Sequence, residues 1–172
     1  MKTKLYAAYG SNLNLRQMRY RCPDAKLNTT GWIEGYELQF KGRPSGAYAT
    51  IAPKEGSSVP VALWEIGPRD EHSLDRYEGV PTHYFKQDIP VRTDGGTVDA
   101  MVYVMDLKMG FGLPSKGYYQ TVLEGYLDCG LNEETLNNAL MKSVREYFEM
   151  DIYGLEEEYD MDLFELGEGM TL

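Results

Sequence analysis

Short apolar runs dominate the first two thirds of the chain, a pattern typical of β-strands. Strand patterns cover residues 3–9, 30–41, 47–53 and 59–66. Residues 42–46 (GRPSG) are turn formers and separate the second run from the third. The pattern therefore predicts four strands before residue 67.

Two helices are predicted among these strands. The first follows a turn signal at residues 10–12 and stops near Pro23, since proline is a poor continuation of a helix. The second begins at Pro68, a favourable first helical residue, and has two acidic residues in its first turn. We expect it to end at Gly79, because glycine readily adopts the left-handed conformation that terminates helices.

The last third of the chain is predicted to contain a hairpin and then helices. Residues 83–92 and 97–107 flank Thr93-Asp94-Gly95-Gly96, a strong hairpin signal. A long loop around residues 110–117 precedes helical spacing at Tyr118, Val122 and Tyr126, and Asn132 can cap another helix. The apolar stripe of that last helix is predicted to be Leu136, Leu140, Val144 and Phe148. The order indicates an α+β fold with a small mixed sheet or partly closed barrel.

Composition places the chain among ordinary globular proteins. It has 172 residues, 42% hydrophobic and 26% charged, which favours one domain with one core. No apolar run approaches the roughly 20 residues of a membrane span, and we expect no signal peptide. Two cysteines, Cys22 and Cys129, make no disulfide framework and match no zinc spacing, so we expect a cytoplasmic protein.

The net charge of −10 is concentrated at the carboxyl end. Residues 151–172 contribute −8 of it and contain no Lys or Arg, which leaves −2 for residues 1–150. We therefore predict a domain over 1–150 and an acidic extension over 151–172. Without a basic surface, nucleic acid and acidic membranes are poor partners.

Few catalytic motifs are present. Ser11 lies outside a Gly-x-Ser-x-Gly motif, and His72 and His83 are more simply read as surface residues.

Two features of the sequence remain as candidates for a functional site. The turn over residues 9–13 (YGSNL) follows a strand, and its main-chain amides could bind a carboxylate. Glu78 lies in the last turn of its predicted helix, where the helix dipole and partial burial would raise its pKa towards that of a general base.

An ordered set of motifs resembles the γ-glutamylcyclotransferase family. The YGSNL turn is similar to the family's N-terminal signature, and residues 74–80 (LDRYEGV) are similar to its catalytic-glutamate segment. Three further stretches resemble the family: residues 35–40 (GYELQF), residues 49–53 with 59–64 (ATIAP, VPVALW) and residues 114–118 (PSKGY). The resemblance runs from residue 5 to about residue 131.

The resemblance implies a small mixed barrel that binds a small γ-glutamyl substrate and needs no cofactor or metal. In the family's reaction the substrate's own α-amine attacks its γ-carbonyl and releases 5-oxoproline. Glu78 would be the general acid and base. The residues that would bind substrate are Tyr6, Tyr9, Gly10, Ser11, Asn12, Leu13, Tyr84 and Tyr118.

Several alternatives stay open at this stage. Tyr77 precedes Glu78 where family members vary, and the Ser-Asn of the turn departs from the glutathione-specific branch. The leaving group is either an amino acid or an amine. A binding or interaction module that has lost turnover, and a hydrolase that uses Ser11, are the competing hypotheses. The sequence carries no signal for an oligomeric state.

Overall fold

The computed structural model describes residues 3–43, 45–106 and 108–149. The predicted acidic extension therefore lies outside the described residues. Within them, no helix is both long and apolar enough to cross a membrane.

Five strands close into a barrel in the order β1-β3-β2-β4-β5. Their bounds are Lys4–Ala8 (β1), Lys26–Lys41 (β2), Tyr48–Ile66 (β3), Tyr84–Thr93 (β4) and Gly96–Met105 (β5). The barrel is mixed, because β1 pairs parallel with β5 and all other pairs are antiparallel. The predicted α+β class with a mixed barrel is confirmed.

The prediction of separate strands over 47–53 and 59–66 is wrong. They form the single strand β3, which pairs with β2 on both sides of an irregularity. The register shifts between Glu34, opposite Ser58, and Tyr36, opposite Pro53. Gly35 and Gly56 have positive φ values of 75° and 78°, so the chain bends there without leaving the ladder.

Helices cover Leu15–Arg21 (α1), Pro68–Glu78 (α2), Lys116–Asp128 (α3) and residues 134–149 (α4). The prediction that α2 spans Pro68 to Gly79 is confirmed, with Gly79 in the left-handed conformation at φ 66°. The predicted hairpin is also confirmed, although β5 ends at Met105 and not at residue 107.

The predicted stripe of α4 is wrong at its end. Asn132 caps the helix, its Oδ1 accepting from the Glu134 amide at 2.9 Å, and Leu136 is buried. Ala139 and Ser143 also lie in the buried face, whereas Phe148 is 56% exposed. Helical spacing alone did not show where burial stops along α4.

Candidate functional site

The site is built where β1 ends. Tyr9 is buried, and Ser11–Leu13 form one turn of 3₁₀ helix before α1. The Asn14 side chain caps α1 by accepting from the Gln17 amide at 3.0 Å. The turn connects the end of β1 to the capped first residue of α1, so the chain changes direction between them. Its position is fixed from both sides, by the strand and by the helix.

Glu78, the last residue of α2, crosses to that turn. Its Oε1 accepts a hydrogen bond from Asn12 Nδ2 at 2.9 Å. The two features that the sequence analysis singled out, 66 residues apart, are thus in direct contact. The other carboxylate oxygen of Glu78 has no hydrogen-bond partner within the described part of the chain.

A cavity of about 290 Å³, its open mouth included, lies between these elements. This volume includes open solvent, and the space enclosed by the lining side chains is smaller. Its lining residues are Tyr6, Tyr9, Gly10, Ser11, Asn12, Ala49, Glu78, Tyr84, Tyr103 and Tyr118.

Eight of the nine residues predicted from the sequence therefore line one cavity. Leu13 is the exception: it is fully buried, and its Cβ lies against Gly125 of α3. Its side chain packs between the turn and α3 and so supports the turn. The two histidines are exposed and do not line the cavity.

Burial raises the pKa of Glu78 from 4.5 to about 7. The charge of Arg21 and the hydrogen bond from Asn12 oppose this shift without cancelling it. Near neutral pH the carboxyl group therefore exists in both protonation states, which suits a group that first accepts and then donates a proton.

Four of the five tyrosines that line the cavity fall into two pairs, according to how their hydroxyl groups are used. Tyr9 donates to the carbonyl oxygen of Tyr103, and Tyr84 donates to the carbonyl oxygen of Ala49 at 2.8 Å, so both protons are used within the fold. Tyr6 instead accepts from Asn12 at 2.8 Å, and Tyr118 accepts from the Ala49 amide at 3.1 Å.

The hydroxyl protons of Tyr6 and Tyr118 therefore remain available to a bound molecule. Burial raises the pKa of both hydroxyls, so they are neutral donors at physiological pH.

Main-chain amides add two further donors. Within the 3₁₀ turn, Leu13 donates to the Gly10 carbonyl at 2.9 Å and Asn14 donates to the Ser11 carbonyl at 3.3 Å. The amides of Ser11 and Asn12 precede these bonds and have no partner within the turn. A Cβ at residue 10 would lie 3.3 Å from the Tyr118 hydroxyl, so glycine keeps this side of the cavity open.

The Ser11 hydroxyl has no base beside it. It accepts from Arg21 at 3.0 Å and lies 3.4 Å from the Tyr77 hydroxyl. Neither group would take its proton at neutral pH, which argues against the hydrolase hypothesis. Among the described residues, no group of three or more His, Cys, Asp or Glu side chains could hold a metal ion.

Sequence reasoning missed several residues around the cavity. Ala49 and Tyr103 line it from strands, and Arg21 and Tyr77 lie behind Ser11. No local signal distinguishes Tyr103 from the other 13 tyrosines, because its position follows from the pairing of β5. Arg21 lies in the first predicted helix together with Arg16 and Arg19, and no local signal distinguishes it from them.

Comparisons with known proteins show which family the chain belongs to. Residues 6–123 match the sequence model of the family described as "Gamma-glutamyl cyclotransferase, AIG2-like". The chain is 30% identical to the mouse gamma-glutamylcyclotransferase over 142 residues, covering 77% of this chain and 75% of the relative. It is 28% identical to the human gamma-glutamylcyclotransferase over 177 residues, covering 98% and 91%.

A solved structure titled "Gamma-glutamyl cyclotransferase" is similar to this fold, with a TM-score of 0.73 at 26% identity. It covers 80% of this chain and 86% of that one. Family membership supports a gamma-glutamylcyclotransferase-type function. With the match spanning most of the barrel and both halves of the cavity, the chain belongs to the AIG2-like gamma-glutamyl cyclotransferase family.

Proposed function

We propose that this protein releases 5-oxoproline from a γ-glutamyl amino acid or amine, with Glu78 as the general acid and base. The observation that carries the proposal is the placement of one partly buried carboxyl group in the same cavity as amide and hydroxyl donors that have no acceptor within the described residues. Family membership supports the reaction class. The residues in the cavity supply what an intramolecular acyl transfer requires.

The Glu78 carboxylate accepts a proton from the substrate's α-ammonium group, and the freed amine attacks the γ-carbonyl carbon of the same molecule. The new C–N bond closes the five-membered ring. Glu78, now protonated, gives its proton to the leaving nitrogen as the old C–N bond breaks. The ring nitrogen loses its second proton to the regenerated Glu78 carboxylate, which passes it to the released amine, so the amine leaves as an ammonium ion. Protons and electron pairs balance without a covalent enzyme intermediate.

The cavity donors hold the substrate and stabilise the transition state. The hydroxyls of Tyr6 and Tyr118 and the amides of Ser11 and Asn12 can serve the α-carboxylate and the oxyanion that forms on the γ-carbonyl. The cavity also keeps the flexible chain bent, which raises the effective concentration of the amine near the carbonyl. These two effects are what the protein contributes besides the proton transfers.

The test is production of 5-oxoproline by the purified chain from a panel of γ-glutamyl amino acids and amines. Glu78→Gln should lower kcat by at least roughly 10²-fold, the lower end for a general base. Glu71→Gln is the matched control on the same helix, because Glu71 pairs with Lys4 and Lys86 outside the cavity. Its turnover should stay close to wild type.

The pH dependence tests the same assignment. Since the pKa of Glu78 is about 7, kcat/KM should rise with pH on an acidic limb centred near 7, as the free enzyme's base ionises. A limb centred near 4.5, or full turnover by Glu78→Gln, would contradict the mechanism. Thermal stabilisation by these compounds without product would favour the binding-module hypothesis instead.

A further inference from the structure

Arg21 lies behind the cavity and donates four hydrogen bonds to side chains around it. It is the last residue of α1, and its Nη1 donates to Ser11 Oγ at 3.0 Å and to Asn12 Oδ1. Its Nη2 donates to Gln17 Oε1 at 2.9 Å and to the Tyr77 hydroxyl. The guanidinium carbon also lies 3.5 Å from the centre of the Tyr77 ring.

These contacts decide which way the Asn12 amide faces. A guanidinium only donates hydrogen bonds, and an ionised carboxylate only accepts them. Asn12 therefore directs its oxygen to Arg21 and its NH₂ group to Glu78 and Tyr6. With the amide reversed, its NH₂ group would face the guanidinium and its oxygen would face the carboxylate.

We propose that Arg21 is a positioning residue that acts on Glu78 through Asn12. It fixes the amide that donates to one carboxylate oxygen of Glu78, so that the second oxygen is directed to the reacting amine. It also stabilises the ionised form of Glu78 through its positive charge. The inference rests on the proposed function, although its central claim concerns the unliganded protein.

The surroundings of Glu78 make this positive charge important. The groups that face the carboxyl group from the packed elements are the hydroxyls of Tyr6, Tyr9, Tyr84, Tyr103 and Tyr118. These hydroxyls are neutral at physiological pH, because burial raises the pKa of each one. One turn earlier on α2, Asp75 is engaged by Lys86 and Tyr103. Arg21 is the charged group that lowers the pKa of Glu78 against its burial.

The experiment titrates Glu78 directly in the absence of substrate. The carboxyl carbon of Glu78 is followed by NMR in ¹³C-labelled protein and assigned from its loss in Glu78→Gln. In Arg21→Gln we expect the midpoint to rise by at least about half a pH unit, because an opposite charge no longer favours the ionised form. Below the midpoint, kcat/KM would then fall by a further factor of about three.

Arg19→Gln is the matched control. Arg19 is exposed in the same last turn of α1, so its replacement removes an equal charge from the same helix end. We expect the Glu78 midpoint and turnover of this variant to match wild type. A midpoint that is the same in Arg21→Gln as in wild type would overturn the inference, whatever the turnover.

A second variant keeps the test decisive if Arg21→Gln does not fold. Lysine at this position retains the charge, but one ammonium group cannot reproduce the planar set of four contacts. Arg21→Lys should therefore hold the Glu78 midpoint close to wild type while lowering kcat by roughly tenfold. Unchanged kcat in this variant would refute the positioning role.

The titration tests the coupling between Arg21 and Glu78, and the turnover assay tests the proposed function, so the two claims can be contradicted independently. If wild type makes no 5-oxoproline but the Glu78 midpoint still moves in Arg21→Gln, the proposed function is wrong and the coupling between Arg21 and Glu78 stands.

Discussion

Glu78 combines a role in the proposed reaction with a cost to the fold. Its carboxyl group is partly buried among tyrosines, with one hydrogen bond from Asn12 and no cation in direct contact within the described residues. Burial disfavours the charged form, which is why the pKa is about 7 and not 4.5. The same burial that gives Glu78 a pKa suited to the proposed base therefore makes the folded state less stable whenever its carboxyl group is ionised.

We predict that Glu78→Gln is more stable than wild type at pH 8 and that this advantage shrinks towards pH 5. An acid whose pKa rises from 4.5 unfolded to about 7 folded binds the proton more tightly in the folded state, so stability falls as pH increases between those values. The free energy of unfolding at pH 8 should increase by roughly 1 to 3 kcal/mol. Urea denaturation at several pH values measures it.

The control for this prediction has the opposite sign. Hydrogen bonds from Lys4 and Lys86 lower the pKa of Glu71, so its ionised form stabilises the fold. Glu71→Gln should therefore be less stable than wild type at neutral pH, and this deficit should shrink as the pH falls through the lowered pKa of Glu71. Equal pH dependence in wild type and Glu78→Gln would show that Glu78 is not buried as a charge.

At the scale of elements, α3 holds the 3₁₀ turn that carries half of the site. Ser115 caps α3 by accepting from the Tyr118 amide at 3.2 Å, which fixes the first turn and the cavity tyrosine in it. Two turns later, Gly125 is buried against Leu13 and Asn14. This close approach places the helix directly beneath the turn.

We predict that Gly125→Ala destabilises the fold and weakens the site. An added Cβ would lie 2.6 Å from Leu13 Cβ and 2.6 Å from the Asn14 amide nitrogen, so the helix and turn must separate. Overpacking of this kind typically costs roughly 1 to 3 kcal/mol. Thermal denaturation should show the loss, and kcat/KM should fall because Ser11 and Asn12 shift with the turn.

Gly117→Ala is the control in the same helix. No atom lies within 4 Å of a Cβ there, and alanine is the better helix former by about 1 kcal/mol. This variant should be at least as stable as wild type with unchanged turnover. If Gly125→Ala were equally harmless, the tight contact between α3 and the turn would not determine the site.

At the scale of the whole molecule, barrel closure brings the site together. The parallel pairing of Tyr6 with Met101 joins the first strand to the last, and the rings of Tyr6 and Tyr103 meet edge to face at 5.6 Å. Among the residues that the structure describes, the buried hydrophobic core lies between Tyr6 and Ala139.

We predict that truncation after residue 150 leaves the barrel domain and its proposed activity intact. The boundary is the one that composition indicates, and the removed segment carries −8 of the net −10. The melting temperature should change by no more than a few degrees, and kcat/KM should stay within about twofold of the full chain. A large fall in either would mean that the extension is part of the domain.

Local signals predicted most of the elements and the two halves of the site. Pro68 and Gly79 marked both ends of α2, and residues 93–96 marked the hairpin, because capping and turn chemistry depend on neighbouring residues. The continuous β3 was missed, since Gly56 and Pro53 read as a break and only the ladder from β2 carries the strand across them.

By itself the sequence determined most of the strands, turns and caps, and its ordered motifs were enough to indicate the family. The tertiary structure decided that Glu78 meets Asn12, that Arg21 lies behind them, and that Leu13 faces the core and not the cavity. The reason is physical. Propensity and periodicity act over a few residues, whereas burial, hydrogen-bond partners and a shifted pKa depend on groups that only the closed barrel brings into contact.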